Sequence, residues 1–122
     1  MNRRSIVRIG AALAFAFAAP AAFAHAQLEK ATPPVGGAVT SPAEIRLKFS
    51  EGVEPHFSGI ALTAEGGAAV PLGKPSVDPA DSSVLIAKVG KALPPGAYTV
   101  TWHAISVDTH STQGDFQFTV KP

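Results

Sequence analysis

The sequence predicts an all-β domain, an antiparallel sandwich or barrel of Greek-key or immunoglobulin-like type. Three observations support this prediction. Short segments alternate apolar with polar residues, turns rich in glycine and proline separate them, and no segment after residue 24 has an apolar period of 3.6 residues. A helix is expected only in the leader that precedes the domain.

The leader has the features of a cleaved export signal. Arginines lie near the start, an apolar run covers residues 11–19, and an Ala-x-Ala pattern at 22–24 matches a signal-peptidase site. Residues 1–24 are therefore expected to be removed, which leaves 25–122 as one mature domain with His25 first. The apolar run is too short to cross a bilayer once the leader is cleaved, so no membrane span is expected in the mature chain. The paired arginines leave twin-arginine export open beside the ordinary route.

Seven short segments of the mature chain are predicted as strands. In the sixth, Tyr98, Val100 and Trp102 are expected on one face, with the alternate residues on the other. In the seventh, Phe116 and Phe118 are expected to share a face for the same reason. The first segment, residues 26–31, is short and mixed, with Leu28 as its main apolar anchor. The other segments are residues 44–50, 57–63, 68–72, 83–89, 97–105 and 114–120.

The connections between these strands are rich in turn-forming residues. Residues 32–37 contain two prolines and two glycines, and 93–96 is a Leu-Pro-Pro-Gly turn. Residues 65–67, Glu-Gly-Gly, are predicted to form a hairpin turn. Residues 73–81 are expected to be a polar connection without a strand.

Composition excludes several classes of function. The chain has no cysteine, which excludes disulfide scaffolds and thiolate metal sites. Its one methionine is Met1, so a metal site would need nitrogen and oxygen donors, which suit Cu(II) or Zn(II) better than Cu(I). Three of the 10 basic residues lie in the leader, whereas all 9 acidic residues lie after it. The mature domain is therefore expected to be mildly acidic. No basic patch typical of nucleic-acid binding is present.

Asp108 and His110 form an Asp-x-His motif in the loop after the sixth strand. Because residues i and i+2 of an extended chain point to the same side, the two side chains are expected to converge. The motif alone is weak evidence, since an aspartate turn beside a solvated histidine has the same sequence. Adding His25, whose free α-amine and imidazole can chelate a metal, gives three nitrogens and one carboxylate, a set that Cu(II) prefers.

The other two histidines are not expected to bind metal. His103 lies in the outward register of its strand and is predicted to be a surface residue. His56 could reach a metal together with Glu54, but no motif supports that pair.

A set of motifs resembles periplasmic copper-resistance proteins of the CopC family over essentially all of residues 25–122. The resemblance implies a seven-stranded Greek-key β-barrel of cupredoxin-like shape, a periplasmic location, and one Cu(II) per chain held by His25, Asp108 and His110. The motifs, in order, are His25-Ala26, Pro34-x-Gly36, Leu47-x-Phe49-Ser50-Glu51, Phe57-Ser58-Gly59, Leu93-Pro94-x-Gly96-x-Tyr98-x-Val100-x-Trp102, Ser106-x-Asp108-x-His110 and Gly114-x-Phe116-x-Phe118.

The resemblance further implies a role in copper sequestration, delivery or resistance and no enzymatic turnover. Glu51 is expected to orient a ligand of the copper ion from outside its coordination shell. A separate inner-membrane protein of the CopD type is an expected partner. Because the mature chain lacks methionine, the Cu(I) site of methionine-rich members is not expected. Two alternatives remain open: a copper-dependent oxidase or monooxygenase with a histidine brace, and a metal-free immunoglobulin-like interaction module.

Overall fold

The computed structural model describes residues 26–122, whose regular secondary structure consists of nine β-strands. The predicted signal peptide, residues 1–24, and His25 lie outside the described residues. No helix in the described part of the chain is long and apolar enough to cross a membrane. The strands are β1 Leu28–Thr32, β2 Ala38–Val39, β3 Glu44–Phe49, β4 Gly59–Ala64, β5 Ala69–Val70, β6 Ser76–Asp78, β7 Asp81–Lys88, β8 Gly96–Ile105 and β9 Ser111–Val120.

The strands form two sheets, which confirms the predicted all-β class. One sheet has the order β1-β3-β7-β6, and the other has the order β2-β9-β8-β4-β5. The strand pairs are antiparallel except for β2, which pairs with β9 in parallel. Antiparallel pairing was therefore the correct prediction for every pair but this one.

The strand count differs from the predicted seven because two short edge strands were missed. β2 is only two residues long, too short to show a period of two, and is positioned by backbone bonds to β9. β6 lies inside the polar connection predicted at 73–81 and pairs with the edge of β7. The strand predicted from residue 57 begins at Gly59 instead, because Phe57 lies in a turn and is 67% exposed.

The core lies between the facing sides of the two sheets. The predicted faces of β8 and β9 are confirmed, since Tyr98, Val100, Trp102, Phe116 and Phe118 are all buried. The ring of Trp102 meets that of Phe49, from the other sheet, edge to face, with centroids 5.1 Å apart. This contact joins the two sheets close to the end of β8.

Gly114 makes room for the indole of Trp102. The two residues are cross-strand partners, and a Cβ at position 114 would lie 2.7 Å from Cζ2 of the indole. Gly59 has a close neighbour as well, but its neighbour is the exposed imidazole of His103, which is free to rotate away. The two glycines therefore differ in what a methyl group would displace.

We expect Gly114→Ala to destabilise the domain by about 1–3 kcal/mol, because the buried indole must shift against its neighbours. Gly59→Ala is the matched control and should change stability by no more than about 0.5 kcal/mol. Urea denaturation followed by Trp102 fluorescence measures both variants. Equal stability of the two variants would contradict the tight packing of the indole over Gly114.

Ion pairs cover the outer side of the four-stranded sheet. Arg46 contacts Asp78 at 2.6 Å, and Lys48 contacts Asp81 at 3.2 Å. Asp81 also accepts hydrogen bonds from the backbone N–H of Ser83 at 3.0 Å and from its hydroxyl at 2.5 Å. These bonds from Ser83, together with that from Lys48, lower the pKa of Asp81 to about 2.

Asp81 should contribute to stability only where its carboxyl is ionised. Since its pKa is lower in the folded chain than in the unfolded one, the contribution is complete above about pH 4 and is lost as the pH falls towards 2. The Asp81→Asn variant should therefore lose less stability than the wild type as the pH is lowered over this range, and thermal unfolding measures the difference. Asp115→Asn, which changes an exposed carboxylate on β9, is the control and should follow the wild type. If the stability of Asp81→Asn fell with pH as much as that of the wild type, the lowered pKa of Asp81 in the folded chain would be contradicted.

Candidate metal centre

The loop between β8 and β9 is a tight turn that brings Asp108 and His110 together. Thr109 donates a backbone hydrogen bond to the carbonyl of Ser106 at 2.8 Å, and Ser106 donates one to the carbonyl of His110 at 2.9 Å. Thr109 has a φ of 72°, in the left-handed region. As a result Oδ1 of Asp108 lies 3.3 Å from Nδ1 of His110. The two side chains converge as expected, but a turn brings them together and not the extended backbone that the prediction assumed.

The hydroxyl of Ser106 lies at the centre of this loop. Ser106 is fully buried, and its Oγ donates to Oδ1 of Asp108 while accepting the backbone N–H of His110 at 3.1 Å. The hydrogen bond from Ser106 is the main cause of a lowered pKa at Asp108, which burial partly opposes. Asp108 therefore stays ionised, the form that binds cations, to a lower pH than a free aspartate.

Glu51 adds a second carboxylate beside Asp108. It follows the end of β3, and a side-chain hydrogen bond between Glu51 and Asp108 is a minor cause of the lowered pKa of Asp108. Its Oε1 is buried and has no hydrogen-bond partner among residues 26–122. Two adjacent carboxylates with an unsatisfied buried oxygen favour the presence of a cation.

The surroundings of the loop are anionic. No lysine or arginine occurs in residues 49–73 or 92–120, which contain the strands β4, β5, β8 and β9 and both loops of the candidate site. The same segments contain Glu51, Glu54 and Asp108. This distribution raises the local concentration of cations and not of anions.

The first described residues, Ala26 and Gln27, are held at the end of the molecule that carries the loop between β8 and β9. The carbonyl of Ala26, which is fully buried, accepts a hydrogen bond from Oγ1 of Thr112 at 2.7 Å. The backbone N–H of Gln27 donates to Oγ of Ser50 at 2.9 Å, and the N–H of Ser50 donates to the carbonyl of Gln27 at 2.8 Å. The chain therefore enters the described region between the end of β3, next to Glu51, and the start of β9.

The described residues include two of the three predicted ligands. Asp108 and His110 lie together, whereas His25 lies outside the described residues. No group of three or more His, Cys, Asp or Glu side chains within residues 26–122 is arranged to hold a metal ion. His103 packs over Gly59 on the outer face of its sheet, and His56 is exposed in the loop before β4, so neither joins the pair.

Comparison with known proteins establishes the family. Residues 28–121 match the model of the CopC domain. The chain belongs to the CopC family. Protein YobA of Escherichia coli K12 is 38% identical over 119 residues, which cover 97% of this chain and 96% of YobA. Copper resistance protein C of Escherichia coli is 34% identical over 124 residues, with 97% and 96% covered.

A solved structure agrees with this assignment. The crystal structure of PcoC, a methionine-rich copper resistance protein from Escherichia coli, superposes on this CopC-family chain with a TM-score of 0.74 at 36% identity. The match covers 80% of this chain and all of PcoC. The two differ in composition, because the only methionine of this chain is Met1.

Sequence reasoning missed two residues that organise the site of this CopC-family chain. Ser106 was noted as part of a motif, but its role as the hydrogen-bonding centre of the loop was not predicted. The spacing of Ser106 and Asp108, typical of a turn with side-chain hydrogen bonds, was an available signal. Thr112 left no such signal, because its partner Ala26 lies 86 positions away in sequence.

We expect Thr112→Val to loosen the N-terminal segment, because it removes the hydroxyl that holds the carbonyl of Ala26. The loss of one hydrogen bond should cost about 1 kcal/mol in stability. Amide hydrogen exchange at Gln27 should accelerate in the variant. Thr119→Val, which changes an exposed residue of the same strand, is the control. Unchanged exchange at Gln27 would show that the segment is held by other contacts.

Proposed function

We propose that this chain is a periplasmic Cu(II)-binding protein that sequesters or delivers copper. One observation carries the proposal: the hydrogen bond from Thr112 to Ala26 attaches the N-terminal segment beside the Asp108–His110 loop. Thr112 is two residues beyond His110, and consecutive Cα atoms are about 3.8 Å apart. This attachment supports the proposal that the residue joined to Ala26 can reach both side chains.

The proposed ligands are the α-amine and imidazole of His25, the carboxylate of Asp108 and the imidazole of His110. The amine exists only if the signal peptide is removed after residue 24, so processing is part of the proposal. Three nitrogens and one oxygen match the preference of Cu(II) for tetragonal coordination. One such set allows one copper ion per chain.

The anionic surroundings support a cation as the cargo. The buried Oε1 of Glu51, beside Asp108, is an acceptor for which residues 26–122 provide no donor. We propose that Glu51 orients a ligand from outside the coordination shell, where a donor such as the His25 amine would satisfy it. The absence of methionine from residues 2–122 supports Cu(II) in preference to Cu(I).

The name of one relative, copper resistance protein C, supports a role in copper handling, and we propose that this role involves no catalytic turnover. Delivery would require a separate acceptor, for which an inner-membrane protein of the CopD type is the candidate. The two alternative functions have less support in the structure. A carboxylate in the proposed ligand set favours holding copper over activating oxygen, and the buried, unsatisfied oxygen of Glu51 is unexpected in a metal-free interaction module.

Titration of the processed chain, residues 25–122, with Cu(II) tests the proposal. We expect one copper per chain, and Asp108→Ala or His110→Ala should weaken binding at least about tenfold. Competition with a chelator and electron paramagnetic resonance (EPR) measure the affinity and the ligand set. His56→Ala is the matched control, because it removes an exposed histidine outside the loop. A chain with one extra residue before His25 should also bind more weakly, since it lacks the amine at that position.

Binding should also weaken as the pH falls. The amine and the two imidazoles must be deprotonated to bind, and an α-amine ordinarily has a pKa of about 7.7–8.0. Affinity for Cu(II) should therefore decrease steadily from pH 8 to pH 6, as protons compete with the metal. The extended chain should show a shallower dependence. Identical pH profiles for the two chains would remove the α-amine from the proposed ligand set, and no saturable binding by either would reject the copper function.

A further inference from the structure

Resting on the proposed function, we propose that Ser106 is a positioning residue for copper. Its hydroxyl engages Oδ1 of Asp108 and so leaves Oδ2 as the oxygen that binds the metal. The same hydroxyl holds the backbone of His110. One buried side chain would thus set the position of both ligands that the loop provides.

The hydrogen-bonding capacity of Ser106 supports this assignment. A serine hydroxyl has one proton to donate and two lone pairs to accept with. One lone pair accepts the backbone N–H of His110 at 3.1 Å. The proton has two acceptors in range, Oδ1 of Asp108 and the carbonyl of His110 at 3.2 Å. The carbonyl already accepts the backbone N–H of Ser106, and the carboxylate is charged and closer, so the proton goes to Asp108.

The effect on Asp108 follows from its freedom of rotation. The terminal torsion of an aspartate has a broad energy profile, so an unrestrained carboxylate samples many orientations. A hydrogen bond from a fully buried hydroxyl fixes that torsion before the metal arrives. It also occupies one of the two oxygens, which favours coordination through a single oxygen over chelation through both.

The burial of Ser106 distinguishes this contact from an incidental surface hydrogen bond. Ser106 has no exposed surface, and it lies where β8 ends and the loop begins. Its backbone pairs with Val53 of the neighbouring loop, which fixes the main chain on the other side. The hydroxyl therefore cannot move far without disturbing both loops.

Ser106→Ala tests the inference, and Ser58→Ala is the matched control. Ser58 is also buried, and its hydroxyl accepts the backbone N–H of Ile105 at 3.0 Å, but it touches neither Asp108 nor His110. We expect Ser106→Ala to weaken Cu(II) binding about 10- to 100-fold and to alter the copper EPR spectrum. Ser58→Ala should leave both unchanged. Thermal unfolding without copper separates the loss of affinity from the loss of fold.

A double-mutant cycle shows whether Ser106 acts through the carboxylate. In an Asp108→Ala background, Ser106→Ala should cause a smaller loss of affinity than in the wild type, because only its hydrogen bond to the backbone of His110 is left to lose. An equal loss in both backgrounds would overturn the inference. So would wild-type affinity and an unchanged EPR spectrum in Ser106→Ala.

A structure of the copper-loaded wild type provides a test that does not depend on any variant folding. We expect Oδ2 of Asp108 on the metal and Oδ1 still hydrogen-bonded to Ser106. Coordination through Oδ1, or through both oxygens, would overturn the inference while leaving the proposed copper function intact. Failure of the wild type to bind Cu(II) would instead reject the proposed function itself.

Discussion

The ten-residue antiparallel pairing of β8 with β9 is the constraint on which the rest of this structure depends. Its register runs from Gly96 opposite Val120 to Ile105 opposite Ser111 without interruption. The register places Gly114 opposite Trp102, so that the indole can pack towards the other sheet. It also leaves only residues 106–110 to connect the two strands. A connection this short must turn tightly, and the buried hydroxyl of Ser106 provides the hydrogen bonds that the turn needs.

The strands β3, β8 and β9 could be predicted from the sequence because their burial alternates with a period of two. Tyr98, Val100 and Trp102 showed that period clearly, and they are buried as expected. β2 and β6 could not be predicted, because two or three residues carry no measurable period and their order comes from neighbouring strands. β5 is equally short, but the Glu-Gly-Gly turn before it predicts a hairpin, and β2 and β6 lack such a signal.

The candidate site was predictable only in part, for a related reason. Asp108 and His110 are close in sequence, so their proximity could be expected from the motif alone. The contact between Thr112 and Ala26 joins distant parts of the chain, and it depends on how the two sheets are arranged. Spacing along the sequence contains no information about that arrangement. Glu51 entered through the resemblance to the family, and its unsatisfied oxygen became visible only in three dimensions.

On the proposed function, the burial of Ala26 has a consequence for where and when the protein can bind copper. Because Ala26 is enclosed and hydrogen-bonded, it fixes the point from which the chain end extends. On the proposed chelate, a peptidase that cut one residue earlier or later would displace the amine by about one residue length, roughly 3.5 Å, and miss the metal. The precision of cleavage would then be part of the construction of the site. An uncleaved precursor would have little affinity for copper, so newly made chains would not remove the metal from the cytoplasm before export.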